Sequence, residues 1–301
     1  MYVRFDDLRG SFGLMGTGAG LMHVTFFGVR GSTPCAGDTN ARYGGNTTSV
    51  VVEVAGAPPI LLDLGTGLRY FGETCPAEGA MQAIALVTHL HWDHVQGLPF
   101  FGPILRPGSG LEVFAPRPGL GLTLAEAFQQ GIRPPYFPVH LTDLFGEFTF
   151  HEVDRDRFDV GPVTVTTRPV PHVGPTAGYR LSCGGRSLAF IPDHQQPADG
   201  SFDVTEEVLE LADGVDLLIH DAQYTLEEFA AKLDWGHSTA EYAVEVARRA
   251  GAKSVALFHH DPSHSDDTID CMAAAARLCA ARFGIEVIAA HEGLTVTLEP
   301  R

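Results

Sequence analysis

His89-Leu90-His91-Trp92-Asp93-His94 places four side chains able to bind a metal within six residues, one residue after the apolar run Ala83-Ile84-Ala85-Leu86-Val87. That run reads as a buried strand. His89 and His91 are two apart, so an extended backbone points both imidazoles the same way. Asp93 and His94 follow where the chain is expected to turn into Val95-Gln96-Gly97-Leu98, which aims a second pair at a second point. Two imidazoles plus a carboxylate–imidazole pair suit two adjacent divalent ions, zinc first, with manganese and iron as alternatives.

At these residues the chain resembles the metallo-β-lactamase superfamily, whose hallmark is H-x-H-x-D-H. The resemblance runs from about residue 22 to 298, and four strand-end residues answer to the other positions of that pattern. Asp63 lies in Leu61-Leu62-Asp63-Leu64-Gly65-Thr66-Gly67, His172 in Pro169-Val170-Pro171-His172, Asp193 after Leu188-Ala189-Phe190-Ile191, and His259 after Val255-Ala256-Leu257-Phe258. In layered α/β architectures, sites gather at strand ends. The resemblance implies that His89, His91 and His172 hold one metal, that Asp93, His94 and His259 hold the other, and that Asp193 bridges both. It further implies a metal-bridging hydroxide as nucleophile, and Asp63 as a carboxylate that orients the ligands without binding metal. Two readings stay open: Asp193 as a plain strand-end turn residue, and His260 in place of His259.

Two later segments narrow the subclass. Ile219-His220-Asp221-Ala222-Gln223-Tyr224 and Trp235-Gly236-His237-Ser238-Thr239 are similar to the branch that holds ribonuclease Z and related phosphodiesterases. Carried over, Asp221 orients His237, and His237 protonates the leaving oxygen, as a poor alkoxide leaving group requires. The plainer reading makes His237 a helix cap and Asp221 a strand end. Gly28-Val29-Arg30-Gly31-Ser32-Thr33-Pro34 and Gly44-Gly45-Asn46-Thr47-Thr48 suggest phosphate contacts through Arg30, Ser32 and Asn46, or a structural hairpin. Aromatics and prolines within 99–140, Phe101 and Tyr136 among them, suit a lid that stacks on a ring of the substrate, or a satellite core. His264 either reaches the pocket or sits in a solvated loop.

Strands are expected near 23–28, 48–54, 59–63, 83–88, 111–114, 147–153, 163–169, 178–183, 187–191, 215–219, 254–258, 285–289 and 294–298. Helices are expected near 67–74, 120–130, 204–212, 225–232, 238–250 and 266–283, with Ser238 capping the fifth and Glu241 completing a capping box. The two alternating halves suggest an αββα four-layer sandwich, the fold of the superfamily. Residues 1–21 read as a dispensable extension, and 22–301 as one domain with an insertion or lid around 99–140.

Composition bounds the rest. Hydrophobic residues make up 45% and charged residues 19% of the chain, as in ordinary globular proteins, and no apolar run reaches membrane-spanning length. The formal net charge is −17, with lysine only at 232 and 253. Such a surface repels polyanions, so a small anionic phosphodiester is expected as substrate and a large nucleic acid is not. The five scattered cysteines fit reduced thiols in a cytoplasmic protein, with Cys271 and Cys279 on the buried face of a helix, and a homodimer is a further expectation. The expected function is a dinuclear zinc hydrolase of small phosphodiesters such as cyclic nucleotides. The alternatives are a lactonase or β-lactamase-like hydrolase and a non-catalytic metal-binding sensor.

Overall fold

A computed structural model describes residues 20–301. The expectation for the leading extension therefore lies outside the described residues, apart from its last two positions.

Two seven-stranded sheets form the centre. The first has the order β14 (Thr295–Leu298), β1 (Met22–Gly28), β2 (Ser49–Val54), β3 (Ile60–Leu62), β4 (Gln82–Leu86), β5 (Gly110–Pro116) and β6 (Glu147–Val153). The second runs β13 (Glu286–Ala289), β12 (Ser254–Phe258), β11 (Leu217–Asp221), β10 (Arg186–Ile191), β9 (Ala177–Cys183), β8 (Val163–Pro169) and β7 (Arg157–Val160). Each sheet is antiparallel on one side and parallel on the other. The parallel side runs β3-β4-β5-β6 in the first and β10-β11-β12-β13 in the second. Inner parallel strands are covered on both faces and read as unbroken apolar runs, so β12 (Ser-Val-Ala-Leu-Phe) is buried throughout.

Three apolar cores define four layers. One lies between the sheets and joins Val24, Phe26, Leu62 and Leu86 to Tyr179, Phe190, Ile219 and Phe258. A second packs the outer face of the second sheet against α4 (Glu206–Ala212), α6 (Ala240–Ala250) and α7 (Asp266–Ala281). The third packs the first sheet against α1 (Leu68–Thr74) and α3 (Leu124–Gly131). The expected αββα sandwich is the fold found. Among the described residues no helix is long and apolar enough to cross a membrane.

Several local expectations need correction. β7 was missed because Arg157-Phe158-Asp159-Val160 is a four-residue edge strand with charged outward positions. Residues 99–140 are not a simple insertion, since β5 within them pairs with both β4 and β6. The cap of α6 is Thr239, whose hydroxyl accepts from Tyr242 N at 3.2 Å; Ser238 instead donates its hydroxyl to the Asp221 carbonyl at 3.0 Å. Cys271 is exposed and Cys279 half-buried, because the inward stripe of α7 is Ile269, Ala273, Ala276 and Ala280. All five cysteines are unpaired.

Candidate metal centre

The site lies where loops leave the C-terminal ends of β3, β4, β8, β10, β11 and β12. After β4 the chain runs extended through His89 and His91, then forms the short helix α2 (Trp92–Val95), which turns Asp93 and His94 inward. His172 follows β8, Asp193 follows β10, and His259 follows β12 at a left-handed φ of 59°. Ser32 and Asp63, also at the site, share such values (φ 60° and 59°). Non-glycine residues in this region carry local strain, which collects at functional sites.

Two ligand groups converge. The donor atoms of His89, His91, His172 and Asp193 lie within 4.8 Å of one another, as do those of Asp93, His94 and His259, and a third set, Asp193, His237 and His259, overlaps both. Asp193 stands between them. Its Oδ2 is 3.7 Å from His89 Nε2 and 3.6 Å from His172 Nε2, while its Oδ1 is 3.3 Å from both His94 Nε2 and His259 Nε2. One oxygen thus faces each group. Asp93 Oδ2 is 3.2 Å from His94 Nε2 and 3.1 Å from His259 Nε2.

The donor set fits two divalent cations. His89 Nε2, His94 Nε2 and Asp193 Oδ1 are buried without a hydrogen-bond partner. Orphaned buried polar atoms are costly, and here they point at common centres where coordination would satisfy them. Charge agrees. Burial works against ionising Asp193, but His259, His94 and His89 outweigh it and pull the carboxyl well below its usual range. Burial likewise opposes charge on His94, yet Asp93, Asp193 and Asp63 push its pKa well above the usual value. This field calls for positive charge at the ring nitrogen.

Supporting bonds fix the rings. Asp63 Oδ2 lies 2.7 Å from His94 Nδ1, and its carboxylate accepts from Thr88 N at 2.7 Å and from the Thr88 hydroxyl. His172 Nδ1 donates to the Gly236 carbonyl at 2.6 Å, and His259 Nδ1 to Gln223 Oε1 at 2.8 Å. Thr88, Gln223 and Gly236 were not singled out from the sequence. Gly236 carried the available signal, standing beside His237: a Cβ there would sit 2.5 Å from the His172 ring, and its φ is +94°. His260 does not reach the centre, as its Nε2 is 2.9 Å from the Ala290 carbonyl.

His237 and Asp221 stand together beside the ligands. His237 Nδ1 is 2.9 Å from Asp221 Oδ2, and the His237 ring centroid lies 5.3 Å from that of His172 and 5.0 Å from that of His259. Burial opposes a charged ring, but the Asp221 carboxylate, then Asp193 and Asp93, raise the His237 pKa above its ordinary value.

The candidate substrate contacts divide. Ser32 is exposed at the site and its N–H donates to Asp93 Oδ2 at 2.7 Å. Arg30 is fully buried, gives Nε to the carbonyl of Gly44 and Nη1 to those of Asp261 and His264, and turns Nη2, which has no hydrogen bond, toward Asp266 Oδ1 at 3.9 Å, so it supports the loops from within. Asn46 is committed to Glu292. His264 is buried with Nε2 2.8 Å from Glu228 Oε1, away from the ligands. Phe101 is core, stacked on Phe71 at 5.8 Å between centroids, because the short helical turn at 98–100 points it inward. Tyr136 is exposed.

Comparison with known proteins gives a consistent family. The model of the beta-lactamase superfamily domain matches residues 59–260. A ribonuclease Z from Brevibacillus brevis is 39% identical over 263 residues, covering 70% of this chain and 78% of the relative. One from Synechococcus sp. is 25% identical over 296 residues, covering 81% and 89%. Among solved structures, the metallo-beta-lactamase fold protein YhfI from Bacillus subtilis superposes with a TM-score of 0.70 at 19% identity, covering 93% of this chain and 100% of that one. The short form of human tRNase Z gives 0.65 at 21%, covering 91% and 98%. The ribonuclease relatives overturn the expectation that a large nucleic acid is no partner. Net charge averages over the whole surface and does not describe the field at a site that gathers cations.

Proposed function

Since the chain belongs to the metallo-β-lactamase superfamily, in the branch of ribonuclease Z and related phosphodiester hydrolases, and is a metal-dependent hydrolase, we propose that it is a two-metal phosphodiesterase with His237 as general acid. The observation that carries the reading is the His237–Asp221 pair held beside the bridging carboxylate of Asp193.

When bound, two divalent cations, for which we propose zinc with manganese or iron as alternatives, supply Lewis acidity to the phosphoryl oxygens and lower the pKa of a water. Asp193 sets the spacing of the two ligand groups. Asp93 closes the second group and is itself held by the Ser32 N–H. Asp221 accepts from His237 Nδ1, which leaves Nε2 to carry the proton and stabilises the charged ring. That proton goes to the ester oxygen as its bond to phosphorus breaks. Asp63 and Gln223 keep the His94 and His259 rings from turning.

The proposed substrates are phosphodiesters, from cyclic nucleotides to the internucleotide bonds of RNA that the name of the ribonuclease relatives specifies. Turnover of bis(p-nitrophenyl) phosphate, a cyclic nucleotide and an RNA with an extended end, set against a lactone and nitrocefin, tests the reading. Hydrolysis confined to the lactone or nitrocefin refutes it.

A further inference from the structure

A cavity of about 260 Å³ opens on the outer side of the ligand-bearing loop. Trp92, Val95 and Gln96 form one wall, spaced i, i+3, i+4 through α2, so the turn that sends Asp93 and His94 inward sends these outward. Phe128 of α3, Tyr136 and Phe137 form the facing wall, with Phe100 at the rim. No charged side chain lines it. Trp92 is 61% exposed, Phe100 58% and Tyr136 76%, so these rings are not a finished core. Large aromatic surface left open to water at a concave site marks a binding place. Trp92 is also the residue between His91 and Asp93, one residue from a ligand of each metal group.

We propose that this cavity is a subsite for a planar ring, a nucleobase or aryl group, carried on one ester arm of the substrate, with Trp92 and Tyr136 as the stacking faces. The inference rests on the phosphodiesterase reading and adds that the enzyme selects esters bearing a ring on that side. An uncharged aromatic lining suits a neutral ring and rejects the phosphate, which stays at the metal groups one residue away. Gln96 gives its Nε2 to Thr47 Oγ1 at 3.4 Å, so its Oε1 and the Tyr136 hydroxyl are the polar groups available to a ring edge.

The test uses the metal-loaded full chain with Trp235→Phe, which leaves Trp92 as the sole tryptophan of the two. Its fluorescence is titrated with AMP, ribose phosphate and hexyl phosphate. AMP should quench Trp92 and bind at least about fivefold tighter than ribose phosphate, the lower end of base stacking on an aromatic side chain. Tyr136→Ala and Phe100→Ala, both exposed, should erase that preference and leave ribose phosphate binding unchanged. Equal binding of AMP and ribose phosphate overturns the subsite, as does a preference that survives both substitutions. Hexyl phosphate matching AMP makes the cavity merely apolar and also overturns it. Ring preference in a chain that cleaves no phosphodiester keeps the subsite and refutes the function. Cleavage without ring preference does the reverse.

Discussion

Oδ2 of Asp221 accepts two hydrogen bonds, from His237 Nδ1 at 2.9 Å and from the backbone N–H of His194 at 3.0 Å. The second bond ties the carboxylate to the strand end that carries Asp193. The proposed acid and the proposed bridging ligand therefore hold one another in register, although 44 positions, counted from 193 to 237, separate them in the chain.

If His237 protonates the leaving oxygen, its loss should matter most when that oxygen is basic. General acids contribute roughly 10²–10⁴-fold. His237→Ala should slow an alkyl phosphodiester by a factor in that range and a p-nitrophenyl ester far less. Asp221→Asn should show a weaker form of the same selectivity, and metal content should stay normal in both. Equal losses on both esters would make His237 a substrate-positioning group, and lost metal would make it a ligand.

Asp193 serves both ligand groups, whereas His91 serves one. Asp193→Ala should therefore lose both ions and nearly all turnover, and His91→Ala one ion, with a drop in thermal stability in each case because the remaining buried ligands go unpaired. Metal analysis and melting curves check this. A metal-free preparation that keeps full activity would refute the metal centre altogether.

Asp63→Asn isolates charge from shape, since asparagine also tolerates the left-handed φ of 59° found there. The substitution leaves the coordination groups intact but weakens the hold on His94 and removes the charge that favours its ligand form. Metal affinity should fall by about 10–100-fold, read by competition with a chelator. Unchanged affinity would show that Thr88 and packing alone fix the ring.

Glu292 accepts from Asn46 N at 2.6 Å and from Asn46 Nδ2 at 3.0 and 3.1 Å. Burial pushes its carboxyl up to about 6, and the Asn46 and Gly45 bonds with Arg30 pull it back only in part. The folded chain thus keeps this proton to higher pH than the unfolded chain, where an ordinary glutamate titrates near 4.5. Its contribution is fully favourable below 4.5 and falls as pH rises through 6, by on the order of 1 kcal/mol given its partial exposure. Denaturant unfolding of wild type and Glu292→Gln at pH values on either side of that window should give a difference that grows in favour of the variant at the higher pH. Parallel curves would refute the shift.

The sequence by itself determined the fold class and the local half of the candidate metal site. Histidines two apart after an apolar strand, followed by Asp93 and His94, encode their geometry within one loop, where strand and turn periodicity fix side-chain direction. The strand ends at Asp63, Asp193 and His259 or His260 were legible because the family resemblance says in what order to look for them and buried parallel strands read as apolar runs that stop abruptly. Only the tertiary structure decided whatever depends on distant partners. It turned His259 rather than His260 inward, drew Arg30 under the loops, gave Asn46 to Glu292, and sent Phe101 into the core while leaving Trp92 open to water. Each of these follows from which backbone carbonyl or apolar wall a residue far along the chain brings into reach, and one-dimensional spacing carries no record of that.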